Sequence, residues 1–236
     1  MTGLFSCAAA EQLQSFGNPD FPPPLVEAHE PEGDEYFTDA VFIGDSMMEN
    51  VETSGLIPTA NYISRIGMSA HSMDDRQFRV QGHSGKLNAY EYAATYQPAK
   101  LYVWIGANGL SHNTSDTIIG DYERVADDLI THFPDALIYV ISPPPMTKER
   151  MNGEKKIPAG HYAEFNEKLC RLAQRRGFYY IDMYSLVTNE EGYLRKEYAA
   201  GDGFHLSREA YVLLTDAVRS QTVPMPDTDT TRSEQP

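Results

Sequence analysis

The stretch AVFIGDS, residues 40–46, is a short apolar run that ends in a glycine, an acid and a serine. An uninterrupted apolar run bounded by turn-forming residues is typical of a strand that is buried on both faces of a parallel sheet. Similar runs follow at residues 61–66, 101–105, 136–141 and 178–182. Amphipathic stretches with helical spacing alternate with them, at residues 87–96, 117–132, 159–176 and 208–218. The alternation predicts an α/β fold around a parallel sheet of about five strands.

The composition changes on either side of these segments. Residues 1–39 contain eight acidic residues and no Lys or Arg, and residues 16–36 are rich in proline. Such a segment has little apolar surface to offset the entropy lost on ordering, so residues 1–38 are predicted to form a disordered acidic arm. Residues 222–236 are also polar and contain proline, which predicts a disordered tail. The folded domain is therefore expected to span residues 39–221.

The overall charge and the cysteine content exclude several classes of protein. The net charge of −15 disfavours nucleic-acid partners, which are bound mainly through clustered Lys and Arg. No apolar run reaches the length of about 18 residues that a membrane-spanning helix requires. Cys7 and Cys170 are the only cysteines, which excludes a disulfide framework and a zinc site made of cysteines alone.

Polar residues follow the predicted strands at the points where chemistry is expected in an open parallel sheet. Ser46 follows the first run, Gly67 the second and Asn108 the third. Asp202 and His205 lie just before the last helical stretch. Together they provide a serine, a histidine with an acid three residues before it, a glycine and a side-chain amide, which are the parts of an acyl-transfer site.

Each of these residue types has a physical reason to be present. A serine hydroxyl is a weak nucleophile until an imidazole takes its proton, and His205 is the candidate base for Ser46. Asp202 can fix the tautomer of His205 and stabilise the imidazolium. The backbone amides of Ser46 and Gly67 and the side-chain amide of Asn108 are candidate donors for an oxyanion hole. The predicted catalytic residues are thus Ser46, Asp202 and His205.

Four blocks of the sequence also resemble a known family. In order, they are Gly44-Asp45-Ser46, Gly67, Gly106-Ala107-Asn108 and Asp202-Gly203-Phe204-His205. They are similar in order and spacing to the signature blocks of the SGNH, or GDSL-type, hydrolases, and the resemblance covers residues 39–221. It implies a flavodoxin-like three-layer α/β/α sandwich and an esterase or acylhydrolase activity.

The resemblance also implies a role for each matching residue. Ser46 would be the nucleophile, His205 the general base and Asp202 the acid that orients it, while Ser46, Gly67 and Asn108 would form the oxyanion hole. The chain departs from the family at Gly109, where the family usually has an aspartate after the asparagine. That departure concerns the shape of the loop more than the chemistry.

These observations predict a serine ester hydrolase that releases a short acyl group, such as acetyl, through an acyl-enzyme intermediate. The loops between the predicted elements are polar and poor in aromatic residues, which favours a polar or carbohydrate ester as the small-molecule substrate. The alternatives are an acyltransferase, or a lysophospholipase or thioesterase, with the same triad. A carbohydrate-binding or interaction module without catalysis on the same scaffold is a further alternative. No metal or cofactor is expected, because no histidine or carboxylate spacing indicates a metal site.

The amino-terminal residues bear on the location of the protein. Leu4-Phe5-Ser6-Cys7 resembles a lipoprotein processing box, and residues 8–10 are three alanines that resemble a signal-peptidase site. These features favour an exported or cell-envelope protein over a cytoplasmic one, with Cys7 as a candidate for a lipid anchor. The sequence gives no prediction of the oligomeric state.

Overall fold

The computed structural model describes residues 24–155, 157–158 and 160–224. Five parallel strands form one sheet in the order β2-β1-β5-β6-β7, and a short antiparallel pair, β3 and β4, lies apart from it. The strands are β1 Ala40–Gly44, β2 Asn61–Ser64, β3 Phe78–Arg79, β4 Lys86–Leu87, β5 Lys100–Trp104, β6 Leu137–Ile141 and β7 Tyr179–Ile181. All five apolar runs of the sequence are strands of the large sheet, which confirms the predicted count.

Helices follow most of these strands. They are α1 Ser46–Ser54, α2 Ala89–Ala94, α3 Ala107–Leu110, α4 Ser115–His132, α5 Lys148–Arg150, α6 His161–Arg176, α7 Met183–Val187 and α8 Arg208–Ser220. Short 3₁₀ turns occur at Asp34–Phe37, Ala70–Ser72 and Lys196–Tyr198. The segment Met151–Lys155 is an irregular turn that is kinked at Gly153. The four helices expected from apolar spacing are present as α2, α4, α6 and α8. Helix α1 was not expected, because only Met47, Met48 and Val51 of its nine residues are buried.

The helices cover both faces of the sheet. Alternate strand residues such as Ile43 and Val103 join a core with side chains of α4 and α6. The other alternate residues, such as Phe42 and Tyr102, join a second core with side chains of α1 and α8. This arrangement confirms the predicted three-layer α/β/α sandwich.

An aromatic ladder crosses the sheet on the α1 and α8 face. One ring from each strand occupies a matching register position: Tyr62, Phe42, Tyr102, Tyr139 and Tyr179. The three central rings stack with centroid distances of 4.4 and 4.5 Å, and the outer rings lie 5.4 and 5.1 Å from their neighbours. Aromatic pairs of this kind contribute about 0.5–1.5 kcal/mol each beyond the area they bury. We refer to these five rings as the aromatic ladder.

Residues 24–38, the described part of the predicted disordered arm, are ordered against the domain, and for these residues the prediction is corrected. Residues 24–38 pack against the domain, and Phe37 is fully buried against the rings of Phe42 and Tyr102. The backbone amides of His29 and Glu32 donate to carbonyl groups at the end of α8, each at 2.9 Å. A few apolar side chains are enough to hold the segment because its backbone groups find partners on the domain.

The remaining predictions about the termini concern residues that are largely outside this description. Residues 1–23, which include Cys7 and the alanines at 8–10, and residues 225–236 lie outside the described residues. Of the tail, Thr222 is buried and the amide of Val223 donates to the hydroxyl of Tyr139 at 3.1 Å. Among the described helices, none combines the length and the apolar character needed to cross a membrane.

Candidate active site

The sheet order places the candidate site beside β1. From β1 the chain first adds β2 on one side and later adds β5 on the other. In open α/β sheets a ligand binds outside the carboxyl ends of the strands at the point where the order changes direction. Ser46 follows β1 and Asn108 follows β5, so both residues lie at this point.

The Ser46 side chain is presented by the first turn of α1. Asp45 caps this helix, since its Oδ1 accepts a hydrogen bond from the Met47 amide at 2.9 Å. The Oγ of Ser46 lies 3.0 Å from Nε2 of His205, although 159 positions separate the two residues in the sequence. This distance allows a hydroxyl proton to pass directly to the imidazole.

The Asp202–His205 pair is a local structure held by hydrogen bonds. Oδ2 of Asp202 lies 2.6 Å from Nδ1 of His205. Oδ1 of Asp202 accepts the backbone amides of Phe204 at 3.0 Å and His205 at 2.9 Å. Partial burial raises the pKa of Asp202, but the bonds from the Phe204 amide and from the ring and amide of His205 outweigh it and lower the pKa to about 2. The carboxylate is therefore ionised over the whole neutral range and can stabilise an imidazolium.

The loop that precedes α5 supports the turn between Asp202 and His205. The amide of Thr147 donates to the carbonyl of Gly203 at 2.9 Å. Gly203 has a φ of +68°, and a Cβ at this position would lie 2.6 Å from Oγ1 of Thr147. The turn therefore requires a glycine both for its backbone conformation and for its close contact with Thr147.

Gly67 lies in a turn beside the end of β2. The amide of Met68 donates to the carbonyl of Arg65 at 3.0 Å, and Gly67 has a φ of +74°. Its own amide forms no hydrogen bond with another described residue. The Ser46 amide lies in the first turn of α1, where backbone N–H groups have no acceptor within the helix. Both predicted backbone donors are thus at the edge of the sheet that holds the serine and the histidine.

Asn108 reaches the same edge, but its amide group already has partners. Nδ2 donates to Oδ2 of Asp45 at 3.0 Å and to the carbonyl of Met68 at 3.2 Å. The longer bond to Met68 is the one that an oxyanion would replace if Asn108 acts as the third donor. The side-chain nitrogen of Asn108 is thus oriented by two acceptors, and its role as an oxyanion donor stays a prediction.

Asp45 is a buried carboxylate that the sequence reasoning did not assign to the site. Its exposed fraction is only 2%, and its two oxygens accept from Met47 and Asn108. Burial raises the pKa of Asp45 to about 7, while the Met47 amide, the nearby His205 and the Asn108 amide act in the opposite direction. The signal in the sequence was its place between the buried strand and the serine, which a helix cap alone also explains.

The structure accounts for the glycine that departs from the family pattern. A Cβ at Gly109 would lie 2.5 Å from Cδ1 of Ile118, a buried side chain of α4. A side chain at position 109, within α3, would have to displace the end of the Ile118 side chain, so the glycine here leaves room for Ile118 in the core.

An open groove of about 690 Å³ begins at Ser46 and His205. It runs between α1 and the start of α8, and its other lining residues are Glu49, Asn50, Thr53, Ser54, Ile66, Ala200, Leu206, Arg208 and Tyr211. We refer to this space as the α1–α8 groove. Apart from Ser46 and His205, its residues could not be predicted from the sequence, because most of them lie on helical faces with no motif.

Comparison with known proteins decides the family. The model of the GDSL-like Lipase/Acylhydrolase family matches residues 42–213. The chain belongs to this family. The resemblance of the four sequence blocks is thereby confirmed, and this GDSL-like protein is an ester hydrolase. No curated protein matches its sequence.

Solved structures share the fold of this GDSL-like hydrolase at low sequence identity. A GDSL-like lipase from Bacteroides thetaiotaomicron is 14% identical, with a TM-score of 0.62 over 80% of this chain and 89% of the other. A lipase/acylhydrolase from Enterococcus faecalis is 16% identical, with a TM-score of 0.54 over 76% and 92% of the two chains. A carbohydrate esterase of family 3 from Talaromyces cellulolyticus is 13% identical, with a TM-score of 0.53 over 76% and 93%. At these identities the likeness shows the fold.

Proposed function

We propose that this GDSL-like hydrolase releases a short acyl group, such as acetyl, from a polar or carbohydrate ester through an acyl-enzyme intermediate. The observation that carries the proposal is the line of contacts from Ser46 Oγ to His205 Nε2 at 3.0 Å and from His205 Nδ1 to Asp202 at 2.6 Å. A nucleophile, a base and an orienting acid in this order are what acyl transfer to serine requires.

In the first half of the reaction, Ser46 Oγ attacks the ester carbonyl carbon while His205 Nε2 takes the hydroxyl proton. The carbonyl oxygen gains the negative charge and is bound by the amides of Ser46 and Gly67, with Asn108 as the third donor. The imidazolium, held by the ionised Asp202, then gives its proton to the leaving alcohol oxygen as the carbon–oxygen bond breaks. The acyl group remains on Ser46.

In the second half, water replaces the alcohol. His205 takes a proton from the water as its oxygen attacks the acyl carbon, and it returns that proton to Ser46 Oγ when the acid is released. Asp202 stays ionised throughout and keeps the imidazole in the same orientation.

The character of the groove supports a polar substrate. Most of its lining residues carry polar or charged side chains, such as Asn50 and Arg208, and three are apolar: Ile66, Ala200 and Leu206. A site for a long fatty chain would present a continuous apolar surface. The shared fold with a carbohydrate esterase is consistent with a sugar ester.

Hydrolysis of nitrophenyl acetate by the wild type and by Ser46→Ala tests the proposal. We expect the variant to lose at least about 10³-fold in kcat, because the nucleophile is removed while the oxyanion donors remain. A serine-reactive phosphonate should increase the mass of the wild type by that of one phosphonyl group. A peptide digest should locate this group on Ser46. Equal rates in both proteins, or a label on another residue, would overturn the proposal.

A further inference from the structure

The α1–α8 groove follows one face of α1 away from the nucleophile. Its α1 residues are Ser46, Glu49, Asn50, Thr53 and Ser54, which are spaced three and four positions apart and therefore share one side of the helix. At roughly 1.5 Å per residue this face extends about 12 Å from Ser46. The groove is long enough for a group much larger than acetyl.

The position of the groove relative to the two catalytic functions identifies which half of an ester it receives. Ser46 and His205 line the groove, whereas Gly67 and Asn108, the other two proposed oxyanion donors, do not. In ester cleavage the carbonyl oxygen faces the oxyanion donors, and the leaving oxygen faces the imidazole that protonates it. A groove that opens on the imidazole side therefore receives the alcohol.

The groove contains hydrogen-bonding groups that are suited to hydroxyls. Asn50 Nδ2 donates to the Tyr211 hydroxyl oxygen at 3.2 Å, so the hydroxyl hydrogen of Tyr211 is left to donate to a ligand and Oδ1 of Asn50 to accept. Burial raises the pKa of Tyr211 to about 12, which keeps its hydroxyl protonated at neutral pH. Glu49 and Arg208 form no ion pair within the described part of the chain, and they add an acceptor and a donor.

Apolar surface lies beside these polar groups. Ile66, which precedes Gly67, has 71% of its surface exposed, and Ala200 and the largely buried Leu206 also line the groove. A sugar ring presents hydroxyl groups at its edge and C–H groups on its faces. A lining that combines polar groups with some aliphatic surface therefore matches such a ring better than it matches a fatty chain or a compact anion.

We infer that the α1–α8 groove is the subsite for the alcohol half of the ester, and that Asn50 and Tyr211 select an alcohol that carries several hydroxyl groups, as a sugar does. This inference rests on the proposed function. It assigns the acyl group to the opposite side of Ser46, next to the oxyanion donors, and makes Asn50 and Tyr211 specificity-determining residues.

Two acetate esters of different alcohols test the inference. The first is a monoacetylated methyl glucoside and the second is ethyl acetate, which has the same acyl group and no free hydroxyl. We expect Asn50→Ala and Tyr211→Phe each to lower the ratio of kcat/KM for the sugar ester to that for ethyl acetate at least tenfold. Tyr211→Phe keeps the ring that packs on Trp104, so its fold is preserved. Glu209→Gln, on the exposed side of α8 outside the groove, is the matched control and should keep the wild-type ratio.

A second comparison separates the two halves of the substrate. Ethyl acetate and ethyl butyrate share the alcohol and differ in the acyl chain. Asn50→Ala and Tyr211→Phe should keep the wild-type preference between them, because the acyl chain lies outside the groove. Variants that alter the acyl preference while keeping the sugar preference would overturn the inference.

The proposed function and the groove inference would be contradicted by different results. If Ser46→Ala hydrolyses both acetates as fast as the wild type, the proposed function is wrong. If Ser46→Ala is inactive and both groove variants, folded by circular dichroism, keep the wild-type preference for the sugar ester, the proposed function stands and the groove inference is wrong.

Discussion

The middle of the sheet and its carboxyl edge are built from the same strands and have opposite properties. In β1, Phe42 belongs to the aromatic ladder, and only two residues later Gly44 begins the block that ends in Ser46. The middle consists of aromatic rings that pack on one another. The edge holds a buried carboxylate at Asp45 and glycines with positive φ at Gly67 and Gly106.

The difference indicates that stability and function are separated along the length of each strand. Burial and stacking of the ladder rings stabilise the fold mainly through apolar contact. At the edge, charge and backbone conformation are placed where they are unfavourable for stability, which is common at functional sites. Substitutions in the two regions should therefore differ in whether they change the free energy of unfolding or the turnover.

The largest effect on stability is expected in the ladder at Tyr102. Its ring is fully buried and stacks on Phe42 and Tyr139. Tyr102→Ala should lower the free energy of unfolding by about 3–5 kcal/mol, the usual cost of a large cavity. Chemical denaturation measures it, with kcat per folded molecule recorded in parallel.

Tyr102→Phe is the matched control, because it keeps the ring and removes only the hydroxyl. We expect it to change the free energy of unfolding by less than about 1 kcal/mol. If the two variants are equally destabilised, the stacked rings are not what holds the middle of the sheet.

At Asp45, on the carboxyl edge of the sheet, we expect a substitution to increase stability near neutral pH and to reduce turnover. The folded protein binds the proton on this carboxyl more tightly than the unfolded chain, because burial raises the pKa from 3.8 to about 7. The stabilising contribution of that proton is complete below about pH 4 and is lost as the pH rises through 7. Asp45→Asn removes the buried charge, so its stability relative to the wild type should improve between pH 4 and pH 8, by on the order of 3 kcal/mol.

The same substitution should reduce turnover. An amide at position 45 can still cap α1, but its nitrogen would face Nδ2 of Asn108, so the orientation of Asn108 would be lost. We expect kcat to fall roughly tenfold or more. Asp135→Asn, at an exposed acid after α4, is the control. A stability difference that is the same at pH 4 and pH 8 would show that Asp45 is not the buried titrating group.

The comparison between the two regions also shows how far the sequence could be interpreted. The strands were predictable because runs such as residues 40–43 are apolar throughout, and the residues after them were found because parallel strands end at one edge. The sequence predicted that His205 acts as the base for Ser46, but the geometry of their contact depends on how α8 packs.

Other features depend on contacts that no single sequence displays. The pairing of Asn50 with Tyr211 joins two helices that are 161 positions apart, and no spacing rule links them. The packing of residues 24–38 was not predicted, because composition does not show that the Phe37 ring packs against the aromatic ladder. The burial of Asp45 follows from the surrounding side chains, so its altered pKa could not be inferred from the motif.

The smallest effect on stability is expected at Gly203, in the turn that the Thr147 loop contacts. Gly203→Ala places a side chain at a φ of +68° and within 2.6 Å of Oγ1 of Thr147. The backbone conformation alone should cost about 1–2 kcal/mol in the free energy of unfolding. Because Asp202 and His205 flank this turn, a shift of the turn also lengthens the contact between them. We therefore expect kcat/KM to fall severalfold even under conditions where the variant is fully folded.

Gly201→Ala is the matched control, since a Cβ at that position meets nothing within 4 Å and lies only one residue before Asp202. It should change neither the free energy of unfolding nor kcat/KM appreciably. Thermal unfolding and ester hydrolysis of the two variants together separate a general loss of stability from a displaced catalytic turn. If Gly203→Ala unfolds earlier but keeps wild-type kcat/KM below its unfolding temperature, the contact with Thr147 supports the fold and not the orientation of His205.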